Sequence, residues 1–308
     1  MVESVSVIIP AFNEEGGIKE TVLGIRQRYP DYEILVIDDG SSDNTAKIVS
    51  QLPCRLIQHK LNRGYGASWK TGIENAKNDI IVFFDGDNQF NPDDIQKLVF
   101  TFIQEKADMV SGARIKKSHV PLKRRPLKVI LKWFVELLVE RSIEDLNCGL
   151  RCVRRSVIRR YTSLLPNGFS ASTTSLVIFL YQSSVVKFIP IKTKKRIGTS
   201  SVKILRDGLG TVILIVRLVA MFNPLKIFLP TSGFFLLFSF AYSIYEAIVN
   251  KMGIPVLGLM LFMSGVLLFF FGILCDQISA LRLNSINKQS NLKEYSDEDG
   301  EILIVGGA

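Results

Sequence analysis

Strand–helix alternation over the first hundred residues, followed by two long uncharged apolar runs, predicts an α/β chain. The expected architecture is a mostly parallel sheet with flanking helices, then interfacial helices and a two-helix transmembrane hairpin. Three short β-branched or aromatic runs carry the first part: 4–10 (SVSVIIP), 33–38 (EILVID) and 79–85 (DIIVFFD). Each suits a buried strand. Helical patterns lie between and after them at 14–28, 43–51, 66–76 and 92–105. In the last, Asn91 is placed to cap and Pro92 suits the first turn.

Composition agrees with this division. The 308 residues carry 38 Lys and Arg against 29 Asp and Glu, a formal charge of +9. Hydrophobic residues make up 47%, and the mean hydropathy is +0.25. That is high for a chain with 22% charged residues, so the apolar residues must be concentrated. They are, from about Leu225 onward. Disorder, collagen-like repeats and a disulfide scaffold are excluded: Cys54, Cys148, Cys152 and Cys275 form no paired framework. His59 and His119 are too few for histidine-ligated zinc chemistry, and Cys148 and Cys152 read as packing. Near the start, a short apolar run is followed at once by Asn13, Glu14 and Glu15 with no basic stretch before it, which does not read as a removable signal peptide.

Each strand run ends in polar or acidic residues. Asn13, Glu14 and Glu15 follow the first, Asp38, Asp39, Gly40 and Ser41 the second, and Asp85, Gly86, Asp87, Asn88 and Gln89 the third. In open parallel sheets ligands sit beyond the carboxyl ends of the strands, so the three clusters should share one crevice. Ser41, Ser42 and Asp43 read as turn and cap residues. Asp85 and Asp87 read as functional, since two carboxylates so close repel unless a cation or donor offsets them. Asp87 and Gln89 share a face in extended backbone, and oxygen ligands of this kind suit Mg²⁺ or Mn²⁺ on a diphosphate. No phosphate-cradling Gly-x-x-x-x-Gly-Lys-Ser/Thr loop occurs, and Gly64-Tyr65-Gly66 reads as a turn entering a helix.

Four stretches together resemble the GT-A (Rossmann-like) family 2 glycosyltransferases, in the polyprenyl-phosphate branch typified by dolichol-phosphate mannose synthases and bacterial undecaprenyl-phosphate glycosyltransferases. They are 8–15 (IIPAFNEE), 37–45 (IDDGSSDNT), 62–67 (NRGYGA) and 85–89 (DGDNQ). The resemblance is strong over 4–115 and looser to about 203. It implies a metal-dependent, inverting transferase that takes a nucleotide-sugar donor, UDP- or GDP-linked, and a polyprenyl phosphate acceptor. Pro10, Ala11, Phe12, Asn13, Glu14, Asp38, Asp39, Asp85 and Gly86 would bind the nucleotide, with Asp39 on the base. Asp85, Asp87 and Arg114 would be catalytic, and Asp87 and Gln89 would hold Mg²⁺ or Mn²⁺. Arg114, Arg124, Arg125, Arg196 and Ser200 would bind the acceptor phosphate. The element 195–200 (KRIGTS) departs from the family pattern in having Ser201 where a lysine is usual, with Lys203 two positions on.

Basic residues cluster twice. Between Arg114 and Lys132 there are eight Lys or Arg and no acid, and between Lys187 and Arg206 seven more, again without an acid. With no nucleic-acid-binding motif beside them, they fit an anionic membrane surface rather than nucleic acid. The stretch 169–175 (FSASTTS), where many relatives carry an acidic pair, has no carboxylate. A hydroxyl acceptor needs a base, whereas a phosphate monoester is already largely ionised. The missing acid therefore favours a lipid phosphate, unless Asp145 or another carboxylate folds in. The alternatives left open are a transferase acting on a hydroxyl of a polysaccharide or glycolipid, and a non-catalytic, membrane-anchored nucleotide-sugar-binding protein.

The uncharged runs span 19 residues (227–245) and 22 residues (254–275), each enough to cross a bilayer as a helix. Basic residues flank the pair while only Lys251 lies in the turn, which places both termini and the catalytic domain in the cytoplasm. The expected divisions are a catalytic domain over 1–203, interfacial helices over 204–224, spans at 225–249 and 254–276, and a loose polar, acidic tail over 285–308. Ile302 to Val305 could form a strand for self-association into a homo-oligomer.

Overall fold

The computed structural model describes residues 4–115, 132–194, 217 and 220–298, apart from single positions 134, 138, 169, 183, 252 and 254. The chain divides into two compact units, within 1–211 and 212–308.

In the first unit the three expected strands form at Val5–Ala11 (β1), Glu33–Asp38 (β2) and Ile80–Phe83 (β4). Shorter strands join them: Arg55–Gln58 (β3), Met109–Arg114 (β5), Arg151–Arg154 (β6) and Val186–Ile191 (β7). The sheet order is β3-β2-β1-β4-β6-β5-β7. β6 runs antiparallel to both neighbours, and the other pairings are parallel. The helices are Ile18–Arg28 (α1), Thr45–Val49 (α2), Tyr65–Asn75 (α3), Asp93–Gln104 (α4), Arg155–Arg160 (α5) and Ala171–Tyr181 (α6). α4 begins one residue later than expected, with Pro92 at the N-cap position; ahead of it Asn91 Oδ1 accepts from the backbone N–H of Asp93 at 3.2 Å.

β1 and β4 are buried on both faces, which is why they read as unbroken apolar runs. Ile18, Val22 and Ile25 of α1 and Ile95, Leu98 and Phe102 of α4 pack into the same core as Val7, Ile9 and Val82. The opposite face buries Trp69 of α3, stacked on Phe83 with ring centroids 3.8 Å apart. The rigid layers so formed fix where the strands end.

The second unit contains two helices, Leu225–Val249 (α7) and Val256–Glu298 (α8). Both are long and apolar enough to cross a membrane, and little of either apolar stretch is buried. Ser239 Oγ donates to the Gly258 carbonyl at 2.6 Å, a small-residue contact that lets helix backbones approach. α8 continues to Glu298, so the loose tail expected after Asn284 is helical that far. Most of the expected interfacial segment, and the expected strand at 302–305, lie outside the described residues.

Candidate active site

The carboxyl ends of β1, β2 and β4 meet as a parallel sheet requires, and hydrogen bonds fix their loops to one another. Asn13, in the left-handed region at φ 55°, accepts from the Ser42 backbone N–H at 2.8 Å. Its own N–H donates to Ser41 Oγ at 2.9 Å, and the Glu14 N–H donates to Thr45 Oγ1 at 2.9 Å. Ser41, Ser42 and Asp43 thus do the turn and cap work expected of them. Pro10 and Ala11 are buried beneath this loop, while Phe12 is 39% exposed at its tip.

Asp38 and Asp39 separate in role. Asp38 is fully buried, and its Oδ1 accepts from the Ser41 hydroxyl at 2.5 Å. It was expected among the nucleotide ligands; in the structure its carboxylate holds the turn through Ser41. Asp39, the next residue, is also buried at 3% exposed, and its carboxylate accepts the backbone N–H groups of Arg63 and Gly64.

The segment 85–89 turns tightly, with Asn88 at φ 57°. Gly17, at the start of α1, lies against its backbone: a Cβ there would stand 3.2 Å from the Asp87 carbonyl carbon. This close approach brings the β1–α1 loop and the acidic turn together. Asp87 is 6% exposed, and its Oδ1 accepts the Gln89 N–H at 3.2 Å. The Gln89 carbonyl accepts from the Lys194 N–H at 2.9 Å, so the chain leading into 195–200 starts beside the acidic turn. Asp85, Asp87 and the Gln89 amide offer only oxygen ligands, a set that fits Mg²⁺ or Mn²⁺ with phosphate oxygens and water completing the shell. Among the described residues no group of three or more His, Cys, Asp or Glu closes a cage made of protein alone.

Asp85 has neighbours that sequence reasoning missed. The Tyr65 hydroxyl donates to its Oδ1 at 2.7 Å. Burial raises the Tyr65 phenol well above its ordinary range, and the Asp85 charge adds to this, so the hydroxyl stays a donor. Gly149 lies on the carboxylate: a Cβ there would be 2.6 Å from Asp85 Oδ2.

Arg114 ends β5 and is clamped by Asp145. Its Nε donates to Oδ2 at 2.7 Å and its Nη2 to Oδ1 at 2.9 Å. Burial pushes the Asp145 carboxyl up, but the hydrogen bonds and charge of Arg114 outweigh it and hold the acid below its usual range. The carboxylate left open by sequence therefore does fold in, as an anchor for Arg114. Among the described residues Nη1 has no hydrogen-bond partner.

Arg151 of β6 orients the loop that carries Asp145 and Gly149. It is fully buried and donates to the carbonyls of Leu146 at 3.1 Å, Cys148 at 2.9 Å and Ser172, and to Ser175 Oγ at 2.9 Å. Burial lowers its guanidinium to about 10, still charged at neutral pH. The acid-free stretch that sequence singled out thus starts α6 and serves Arg151. Thr173, in the same turn, donates to Asn147 Oδ1 at 2.7 Å. Arg124, Arg125, Arg196 and Ser200 lie outside the described residues.

An open depression of about 580 Å³ lined by Arg26, Tyr32, Glu33, Arg55 and Asn78 sits at the opposite, amino ends of the strands. It contains none of the site residues. Ligands of parallel sheets bind at the other edge.

Comparison with known proteins bears on the family and the fold. The model of the family described as "Glycosyl transferase family 2" matches residues 6–180, and that of the "GtrB C-terminal hairpin" matches 223–281. The chain is 31% identical over 212 residues to a UDP-N-acetylglucosamine–dolichyl-phosphate N-acetylglucosaminyltransferase of Methanococcus voltae, covering 61% of this chain and 84% of that one. It is 30% identical over 200 residues to an undecaprenyl-phosphate 4-deoxy-4-formamido-L-arabinose transferase of Pseudomonas fluorescens, covering 58% of this chain and 57% of the relative. Its fold matches that of glucosyl-3-phosphoglycerate synthase from Mycobacterium tuberculosis, solved with Mn²⁺, UDP and phosphoglyceric acid. The TM-score is 0.57 at 19% identity, over 71% of this chain and 78% of that one.

Proposed function

The chain belongs to glycosyl transferase family 2, and from that premise we propose that it transfers a sugar, with inversion, from a nucleotide diphosphate to a polyprenyl phosphate at a membrane surface. The β1–α1 and β2–α2 loops would bind the nucleoside, with Phe12 and Asp39 against the base. Asp85 would face the sugar, kept in place by Tyr65 and by the space that Gly149 leaves. Asp87 and Gln89 would hold Mg²⁺ or Mn²⁺, which when bound neutralises the departing diphosphate. The relatives named above as transferring sugars to dolichyl or undecaprenyl phosphate support this acceptor class.

One observation carries the choice of a phosphate acceptor. The acid nearest Arg114 is Asp145, both of whose oxygens are taken up by that arginine. A carboxylate so held is a poor base for a hydroxyl, while the arginine it orients suits a phosphate oxygen that arrives ionised. Acceleration would come mainly from orientation and fixed charge. The apolar helices α7 and α8 would anchor the chain as a multi-pass protein of the cell membrane, with the catalytic unit and both termini in the cytoplasm.

The test is transfer of radiolabelled sugar from a panel of UDP- and GDP-sugars to undecaprenyl or dolichyl phosphate with Mg²⁺ or Mn²⁺, followed by butanol partition. Label in the organic phase supports the proposal. Label in a water-soluble or polymeric product would replace it with a hydroxyl acceptor, and nucleotide binding without turnover would make the chain a non-catalytic binder.

A further inference from the structure

We infer that His59 sets the nucleobase preference of the donor site, favouring uracil or thymine over guanine by filling acceptor positions on Asp39. The inference rests on the donor-site reading above, in which Asp39 meets the base, and goes beyond it to the choice of base.

His59 directly follows β3. Its backbone N–H donates to the Asp38 carbonyl at 2.9 Å, extending the ladder by one step and turning the imidazole back toward β2. The residue is 8% exposed. Its Nδ1 lies 2.7 Å from Asp39 Oδ1, and its Nε2 lies 2.9 Å from Thr71 Oγ1 on α3. A carboxylate only accepts, so Nδ1 carries a proton and donates to Asp39, while Nε2 pairs with the Thr71 hydroxyl, which can donate or accept. The ring is thereby held from both sides.

Two backbone groups complete the set. The Arg63 N–H donates to Asp39 Oδ1 at 3.0 Å, and the Gly64 N–H to Oδ2 at 2.7 Å. A carboxylate offers about four acceptor positions. Oδ1 has both of its positions taken, by His59 and Arg63, and Oδ2 has one of its two taken by Gly64. Among the described residues' hydrogen bonds, one position remains, on Oδ2.

The bases differ in what they ask of that position. Uracil and thymine present one ring N–H between two carbonyls, and a single acceptor satisfies it. Guanine presents its N1–H and an N2–H side by side, a pair that a carboxylate meets with both oxygens. With Oδ1 full, one guanine donor would be left without a partner on the carboxylate. Such an orphan weakens binding by roughly tenfold to a hundredfold. Cytosine and adenine present an unprotonated ring nitrogen at the same edge, which faces the carboxylate oxygen unfavourably.

A purely structural histidine makes a different prediction: its loss would loosen the loop and weaken all nucleotides alike. The experiment is calorimetric titration of the full chain in detergent with UDP and with GDP, in Mn²⁺, for wild type, His59→Asn and His59→Leu. The asparagine amide nitrogen takes the place of Nδ1, so this variant should keep the wild-type preference for UDP, about tenfold or more. In His59→Leu, Oδ1 regains an acceptor position, and the ratio of the two dissociation constants should fall by at least about fivefold. GDP bound as tightly as UDP by wild type would overturn the inference while leaving the donor site intact. So would an unchanged ratio in His59→Leu. Should His59→Leu fail to fold, His59→Ala frees the same position on Oδ1 and is read by the same ratio. Failure of wild type to bind either nucleotide would overturn the donor-site reading itself, and the inference with it.

Discussion

Replacing Asp145 by asparagine keeps the shape of the side chain and removes what it does for Arg114. The carboxylate accepts four hydrogen bonds: from Arg114 Nε at 2.7 Å, Nη2 at 2.9 Å and backbone N at 3.2 Å, and from the Asn147 backbone N at 3.1 Å. An amide keeps one accepting oxygen and turns its NH₂ toward two of those donors. Each partly buried donor facing another costs about 1–3 kcal/mol. The pair is not sealed, with the Arg114 side chain 31% exposed, so about 2–4 kcal/mol in total is expected at neutral pH.

The pH dependence follows from the direction of the Asp145 shift. Burial raises the carboxyl, Arg114 more than reverses this, and the folded value is depressed. Its stabilisation is therefore complete above the unfolded-chain value of about 4, and is lost as pH falls through the lower folded value. Thermal unfolding in detergent should show a wide gap between wild type and Asp145→Asn at pH 7 that closes below about pH 4. In transfer assays the Michaelis constant for lipid phosphate should rise about tenfold, with kcat changing less than that. A kcat loss of about 10³-fold or more, with the lipid constant unmoved, would mark Asp145 as a base and refute the anchoring role.

Three further outcomes are expected. Gly149→Ala would force a methyl onto the Asp85 carboxylate, and should cost about 1–3 kcal/mol of stability together with most transfer activity; an active variant of wild-type stability would show that the close approach does not matter. Arg151→Met would strip donors from buried carbonyls of the 146–148 loop and from α6, with an expected loss of about 3–5 kcal/mol by thermal unfolding, whereas an unchanged melting point would refute its orienting role. The Cys148 thiol is pushed up to about 12, chiefly by burial, so maleimide at pH 8 should label it only after unfolding; mass spectrometry showing modification of the native protein would contradict this.

What the sequence revealed follows from how far apart the partners lie. β1, β2 and β4 were legible because central parallel strands are apolar on both faces. β3 is a half-exposed edge strand, and β7 holds Pro190, which only an edge tolerates. β5 contains Ser111 and Gly112, and β6 begins and ends with arginine, so neither carried a strand pattern. The acidic turn and the Asn13 loop were legible as local motifs at strand ends. The pairs Arg114–Asp145, Tyr65–Asp85 and Asp39–His59 were not, because each joins residues that only the folded sheet brings together. A lone buried-strand arginine such as Arg151 also gave no signal, since in sequence it is one more basic residue in a basic chain.

The most direct test of the account is a crystal soaked with Mn²⁺ and UDP. The expected result is a cation held by Asp87 and Gln89 on the diphosphate, with the uracil ring against Phe12 and its N3–H on Asp39 Oδ2. A nucleotide bound elsewhere, with no cation at the acidic turn, would contradict it.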